Sequence, residues 1–269
     1  MAELRFVCSW DDGHPLDRRL GELLTRHGFP AAFYLASQGV EGRPTLAASA
    51  IRDLAQGFEI GGHTRSHPDL PRLPLAEARR EVVENKAWLE EILGREITGF
   101  CYPRGRHAPA VRELVRQAGF RYARTTRPLC LDPGADPWRL PVTVQCHPHS
   151  RGVLARQWLK HGDWGKRWGI FRAMAGGSEL LDGLTAALES GLRRGGVFHL
   201  WGHSWEVEAG GLWSVLETFL ARAAEQIPPS HRLAPGDLFP VPAERPGEAR
   251  GKNPENLRPL VAAADPEGA

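Results

Sequence analysis

The chain has 269 residues, 42% of them hydrophobic and 25% charged, with a formal net charge of +2. That length holds one large α/β domain or two small ones. The composition is that of a globular chain, and the small net charge without a basic run excludes a nucleic-acid-binding surface written into the sequence. No run of about eighteen apolar residues occurs, so no transmembrane segment is expected. The first apolar run begins a few residues after Met1, which leaves no room for a leader before it. The expectation is therefore a cytoplasmic protein. Its four cysteines, Cys8, Cys101, Cys130 and Cys146, contain no Cys-x-x-Cys pair and are expected as reduced, mostly buried thiols.

In chain order, short apolar runs alternate with helical patterns. Residues 4–10 read as a strand and 16–27 as a helix closed by Gly28, followed by a strand at 31–36. A helix at 46–56 stops at Gly57 before a strand at 58–61. Residues 75–93 form a long amphipathic helix ended by Gly94, and a strand follows at 97–102. A helix at 109–118, strands at 120–124 and 139–144, a helix at 180–193, a strand at 196–201, a helix at 212–227 and a short strand at 232–234 complete the series. Such alternation predicts a parallel sheet, and seven or eight units suggest a barrel with its chemistry at the C-terminal strand ends. Residues 146–177 interrupt the pattern with Trp158, Trp164 and Trp168, which read as a packed excursion or as an aromatic wall for a ligand. The domain is expected to span residues 1–240, and the Pro-rich tail from 241 to 269 to be disordered.

The polar residues that follow the strands are specific. Asp11 and Asp12 are adjacent carboxylates at a strand end, an arrangement that raises one pKa unless a cation neutralises it. Asp-Asp-Gly also reads as a turn. His63 and His67 lie four apart after another strand. One aspartate with two histidines makes a facial ligand set with open positions, suited to hydrolysis rather than to a structural metal. Cys146-His147-Pro148-His149 reads as a polar loop or a second metal cluster. Tyr102-Pro103-Arg104-Gly105 forms a tight turn after the fourth strand. The run Phe198-His199-Leu200-Trp201-Gly202-His203-Ser204-Trp205-Glu206 offers two histidines, of which His199 lies inside the strand and His203 just beyond it.

Together these residues resemble the polysaccharide deacetylases of the NodB-homology type, carbohydrate esterase family 4. Ser9-Trp10-Asp11-Asp12-Gly13 is similar to the family's first motif, His63-Thr64-Arg65-Ser66-His67 to its second, and Tyr102-Pro103-Arg104-Gly105 to a variant of its third. His203, before Trp205 and Glu206, looks like the late histidine motif. The resemblance implies a distorted (β/α)7 barrel holding one divalent metal, most often Zn2+, with Co2+, Ni2+ or Mn2+ as alternatives. Asp12, His63 and His67 would be its ligands. It further implies Asp11 as general base, the backbone N–H of Arg104 as an oxyanion donor and His203 as the acid for the leaving amine. Tyr102, Trp201 and Trp205 are the candidate substrate contacts. One departure stands out: Cys101 occupies the place of the family's third-motif arginine, and Arg139 is expected to supply that cation to Asp11 from a neighbouring strand. The implied reaction is removal of an N-acyl group, N-acetyl above all, from an amino sugar or glycan precursor. Formamide or cyclic-amide hydrolysis on the same scaffold, and a non-catalytic carbohydrate-binding domain, are the alternatives.

Overall fold

The computed structural model describes residues 3–239; the tail expected to be disordered lies outside them. The elements run β1 (Leu4–Asp12), α1 (Asp17–His27), β2 (Ala31–Leu35), α2 (Ala48–Leu54), β3 (Glu59–Gly62), α3 (Leu75–Leu93), β4 (Gly99–Cys101), α4 (Pro109–Gln117), β5 (Tyr122–Arg124), β6 (Val144–Gln145), α5 (Arg151–Lys160), α6 (Trp164–Gly176), α7 (Leu180–Arg194), β7 (Gly196–Gly202), α8 (Ser204–Ala209), α9 (Trp213–Gln226) and β8 (Arg232–Leu233). The sheet order is β5-β4-β3-β2-β1-β7-β6, all pairings are parallel, and β8 adds to β1. A single bridge, Arg124 to Leu140, joins the β5 edge to the chain leading into β6. This is the distorted (β/α)7 barrel. The strand expected over 139–144 is reduced to its last residue because Pro141 has no N–H to give to a ladder. No helix among the described residues is long and apolar enough to cross a membrane.

Strand alternation sorts the side chains into two cores. Phe6, Cys8 and Trp10 of β1, Phe100 of β4, Ala123 of β5, and Phe198 and Leu200 of β7 pack under the helices. The other parity faces the barrel interior, where Ala32, Tyr34, Cys101, Tyr122 and Leu140 cluster. The Tyr34 and Tyr122 hydroxyls lie 2.9 Å apart, and Tyr122 donates to Glu59 Oε1 at 2.7 Å. Two glycines make room for these rings: a Cβ on Gly61 would meet Tyr34, and one on Gly99 would meet the Tyr122 hydroxyl. The region 146–177 folds as the helical hairpin α5–α6. Trp158 stacks on Phe171 at 5.2 Å, while Trp164 and Trp168 remain exposed. All four cysteines are buried and unpaired by disulfide.

Gly99→Ala should destabilise the protein by about 1–3 kcal/mol through overpacking of the barrel interior. Denaturant unfolding measures this, and an unchanged midpoint would mean that the Tyr122 ring is free to move aside.

Candidate active site

Asp11 and Asp12 should point to opposite faces of β1, since side chains alternate along a strand. They share one site because Asp12 takes a positive φ of 80° at the strand end, which turns the chain. Thr64, His67 and Arg104 have φ of 67°, 58° and 56°. Left-handed backbone is costly for such residues, and here it gathers around one place.

His63 follows β3. Its ring Nδ1–H donates to the Cys101 carbonyl at 2.8 Å, which leaves the Nε2 lone pair facing the site. Its backbone N–H donates to Asn85 Oδ1 of α3 at 2.9 Å. Glu81 of α3 accepts from both the N–H and the hydroxyl of Ser66, so the same helix pins the loop between the histidines. The His67 N–H closes that loop onto Thr64 Oγ1 at 3.0 Å.

Asp12 Oδ1 lies 3.6 Å from His63 Nε2 and 3.9 Å from His67 Nε2. These separations are too long for hydrogen bonds. They are close to those of ligands sharing an ion at about 2.0–2.2 Å. Asp12 Oδ1 is buried without a hydrogen-bond partner, whereas Oδ2 accepts from Trp205 Nε1 at 2.9 Å. A buried carboxylate oxygen left bare between two imidazole lone pairs fits a divalent cation. Burial lowers the pKa of both histidines, and that of His67, beside His63, is held down to about 4, so both rings are neutral as ligands must be.

Asp11 is paired with a cation, but the cation is Arg124 rather than Arg139. The Arg124 guanidinium, fully buried at the end of β5, bonds both Asp11 oxygens. Arg124 is the register partner of Cys101. The charge missing from the third motif therefore comes from the next strand, and its long side chain reaches where the Cys101 thiol stops, 3.6 Å from Asp11 Oδ2. Arg139 sits in a 3-10 turn after Asp136 and lines a separate cavity, because the chain there is not a strand end. Burial alone would push the Asp11 carboxyl up; Arg124, with His63 and His203, overrides it and holds the pKa to about 2.

His203 and His199 part company. His199 is buried, its Nδ1–H donating to the Pro141 carbonyl at 3.2 Å and its Nε2 accepting from the Ser9 hydroxyl at 2.7 Å. Burial and the charge of Arg124 hold it neutral, down to about 3. His203 faces the carboxylates, with Nε2 3.9 Å from Asp12 Oδ2 and Nδ1 2.6 Å from Glu206 Oε2. Burial would lower its pKa, but Glu206, Asp11 and Asp12 raise it above the ordinary value. Gln145 donates to the same Glu206 oxygen at 2.9 Å and fixes it.

Arg104 occupies the turn at Pro103–Gly105, and its exposed side chain lies 3.5 Å from Glu41. Trp201 lines a cavity of about 210 Å³ with Gln145, His149 and Arg104. Trp205 orients Asp12, and Arg43 covers its ring at 3.7 Å. Tyr102 departs from expectation. It shares the parity of Phe100, so it is fully buried under the helices, donates to the Trp138 carbonyl at 3.3 Å and cannot touch a substrate. Among the described residues, Cys146, His147 and His149 form no second metal cluster. Sequence reasoning missed Arg124 and Glu206 as functional residues. The signal for Glu206 was its i+3 spacing from His203 at a helix start; that for Arg124 was its place at a strand end, beside Cys101.

The carboxylate–imidazole set lies at the C-terminal strand ends of a parallel barrel, where that fold places its chemistry. Residues 4–123, the segment bearing Asp11, Asp12, His63, His67 and Cys101, match the family model described as polysaccharide deacetylase. A chitooligosaccharide deacetylase of Bradyrhizobium sp. is 39% identical over 62 residues, 23% of this chain and 27% of that one. A peptidoglycan-N-acetylglucosamine deacetylase of Bacillus cereus is 31% identical over 91 residues, 33% of this chain and 30% of that one. The matches thus span less than a third of these relatives. The Xyl-CE4 domain of a multidomain xylanase, from the hindgut metagenome of Trinervitermes trinervoides, shares the fold with a TM-score of 0.53, 13% identity and coverage of 89% of this chain and 90% of that one.

Arg124→Met leaves Asp11 charged, buried and unpaired, and should cost about 3–5 kcal/mol of stability. Combining it with Asp11→Asn should restore part of that loss; additive losses in denaturant unfolding would show that the two residues do not act as a pair. Trp205→Phe should weaken zinc binding about 10–100-fold by freeing Asp12 Oδ2, as read by calorimetric titration.

Proposed function

We propose that this protein is a metal-dependent hydrolase that removes an N-acyl group, above all N-acetyl, from an amino sugar. The observation that carries the reading is the bare, buried Asp12 Oδ1 between two imidazoles, with a charged carboxylate and a protonatable histidine facing the same point. Asp12, His63 and His67 would hold a divalent cation, most often zinc in such donor sets, which when bound acidifies water and polarises the amide carbonyl.

The chain's own residues do the rest. Asp11, kept ionised by Arg124, accepts the proton of the attacking water. An amide nitrogen cannot leave as an anion, so it must be protonated as the C–N bond breaks. His203, whose proton is stabilised by Glu206, gives it that proton. The Arg104 N–H, at the tip of the turn after β4, is the donor for the oxygen that gains charge in the tetrahedral intermediate. Trp201 forms one wall for the sugar. The names of the similar proteins, a chitooligosaccharide deacetylase and a peptidoglycan-N-acetylglucosamine deacetylase, support an N-acetylated amino sugar as the substrate class.

Purified protein should release acetate from N-acetylglucosamine oligomers, lose this on chelation and regain it with Zn2+. Asp11→Asn should keep the metal and lose most turnover. His203→Ala should also keep the metal and lose about 10²–10⁴ in rate. Acetate release that survives chelation, or a fully active His203→Ala variant, would overturn the assignment.

A further inference from the structure

Beside the catalytic residues lies a larger cavity of about 700 Å³, within the range of small-molecule sites. Eight Lys or Arg residues line it against three Asp, a local excess greater than the +2 of the whole chain. The three acids are already engaged. Asp163 pairs with Arg127, Asp132 accepts from Lys166 at 3.3 Å, and Asp136 accepts the Trp138 N–H at 3.0 Å. Arg167 is buried and spends its guanidinium on the carbonyls of Pro128, Gln157, Trp158 and Gly162. Arg139 and Lys160 are exposed and, among the described residues, have no carboxylate within ion-pair distance. Arg194, also exposed, donates only to the Lys166 carbonyl, so Arg139 and Lys160 are joined by a third lining cation without a carboxylate partner among the described residues.

We propose that this cavity binds the phosphate or diphosphate group of a phosphorylated N-acetyl sugar, with Arg139 and Lys160 as its contacts. The proposal rests on the deacetylase reading and adds the substrate's charge to it. Arg104 connects the two places. It lines this cavity and the smaller one formed with Trp201, whose ring meets His203 edge-on at 5.6 Å. The sugar attached to that phosphate would extend past Arg104 and Thr126, which line both cavities, toward Trp201. The field inside the cavity is positive: burial, together with Arg167, Lys160 and Arg127, holds His161 down to about 4. An anion would relieve that repulsion, and planar guanidinium groups match phosphate oxygens in pairs. Leu159, Trp164 and Trp168 are exposed on the same two helices, α5 and α6, and offer apolar surface to whatever carries the phosphate. A nucleobase and a polyprenyl chain are the two carriers of that kind.

The test uses the metal-loaded full chain and the exposed pair Arg139→Gln/Lys160→Gln. Inorganic pyrophosphate is titrated calorimetrically into both proteins. Binding to the parent should be at least tenfold tighter than to the double variant and should weaken with added salt. Pyrophosphate held only by the metal would bind both proteins equally, and that result, or no binding at all, overturns the proposal. Acetate release is then compared for neutral N,N′-diacetylchitobiose, UDP-N-acetylglucosamine and an N-acetylglucosaminyl diphosphate polyprenol in phosphatidylcholine vesicles. A preference of at least tenfold in kcat/KM for either phosphorylated substrate, reduced in the double variant, supports the proposal, and the preferred one identifies the carrier. Equal rates on neutral and phosphorylated sugars, without pyrophosphate binding, would sink the cavity's role and leave the deacetylase reading standing. Tight pyrophosphate binding lost in the double variant, with no acetate from any sugar, would support the anion site and overturn the deacetylase reading.

Discussion

The ion pair between Asp11 and Arg124 is the constraint around which the barrel's upper end is organised. Both groups are withdrawn from water, and each desolvated charge costs several kcal/mol unless the other meets it. The pair is formed by both carboxylate oxygens, and the guanidinium lies between the rings of Tyr34, at 5.5 Å, and Trp201, at 4.9 Å. Those contacts tie β1 to β5 across the interior and draw in β2 and β7. The consequence is chemical as well as structural: a buried carboxyl that would otherwise tend to hold its proton is kept ionised.

Around that pair the chain accepts strain to bring its donors together. Asp12, Thr64, His67 and Arg104 all adopt left-handed backbone; Asp12 ends β1, and the others lie in the loops that follow β3 and β4. Such strain persists only where surroundings enforce it. Here α3 supplies the enforcement through Glu81 and Asn85, two buried polar residues whose hydrogen bonds go to the histidine loop and to the end of β2. Asp12 is held from behind by Trp205 and His63 by the Cys101 carbonyl, which sets the His63 tautomer and leaves its Nε2 facing inward.

His203 is held by a parallel construction. Glu206 holds His203 from behind, as Arg124 holds Asp11, with opposite signs of charge. Glu206 in turn accepts from Gln145, whose Oε1 lies 3.0 Å from His149 Nε2, so residues of the β6 region that looked like a separate His cluster in the sequence brace His203. The two polarised groups lie on β1 and in the β7–α8 turn, and their pKa values are shifted in opposite directions, that of Asp11 down and that of His203 up.

Much of this was legible in the sequence because it is local. The order of strands and helices follows from apolar periodicity and glycine stops, and the aspartate pair and the histidine pair each lie within a few residues of a strand end. What the tertiary structure alone decided concerns side chains that meet from distant segments. Arg124 and not Arg139 reaches Asp11, since Pro141 spoils the strand that would have carried Arg139 to the rim while β5 lies directly beside Cys101. Tyr102 turns away from the site, because one residue's shift along a strand changes the face on which a side chain falls. The cationic cavity has no counterpart in any run of the sequence: its lining comes from the turn after β4, the segment between β5 and β6, the α5–α6 hairpin and the end of α7. Charge scattered along a chain becomes a site only when the fold sums it at one place, and that sum depends on distances that sequence spacing does not contain.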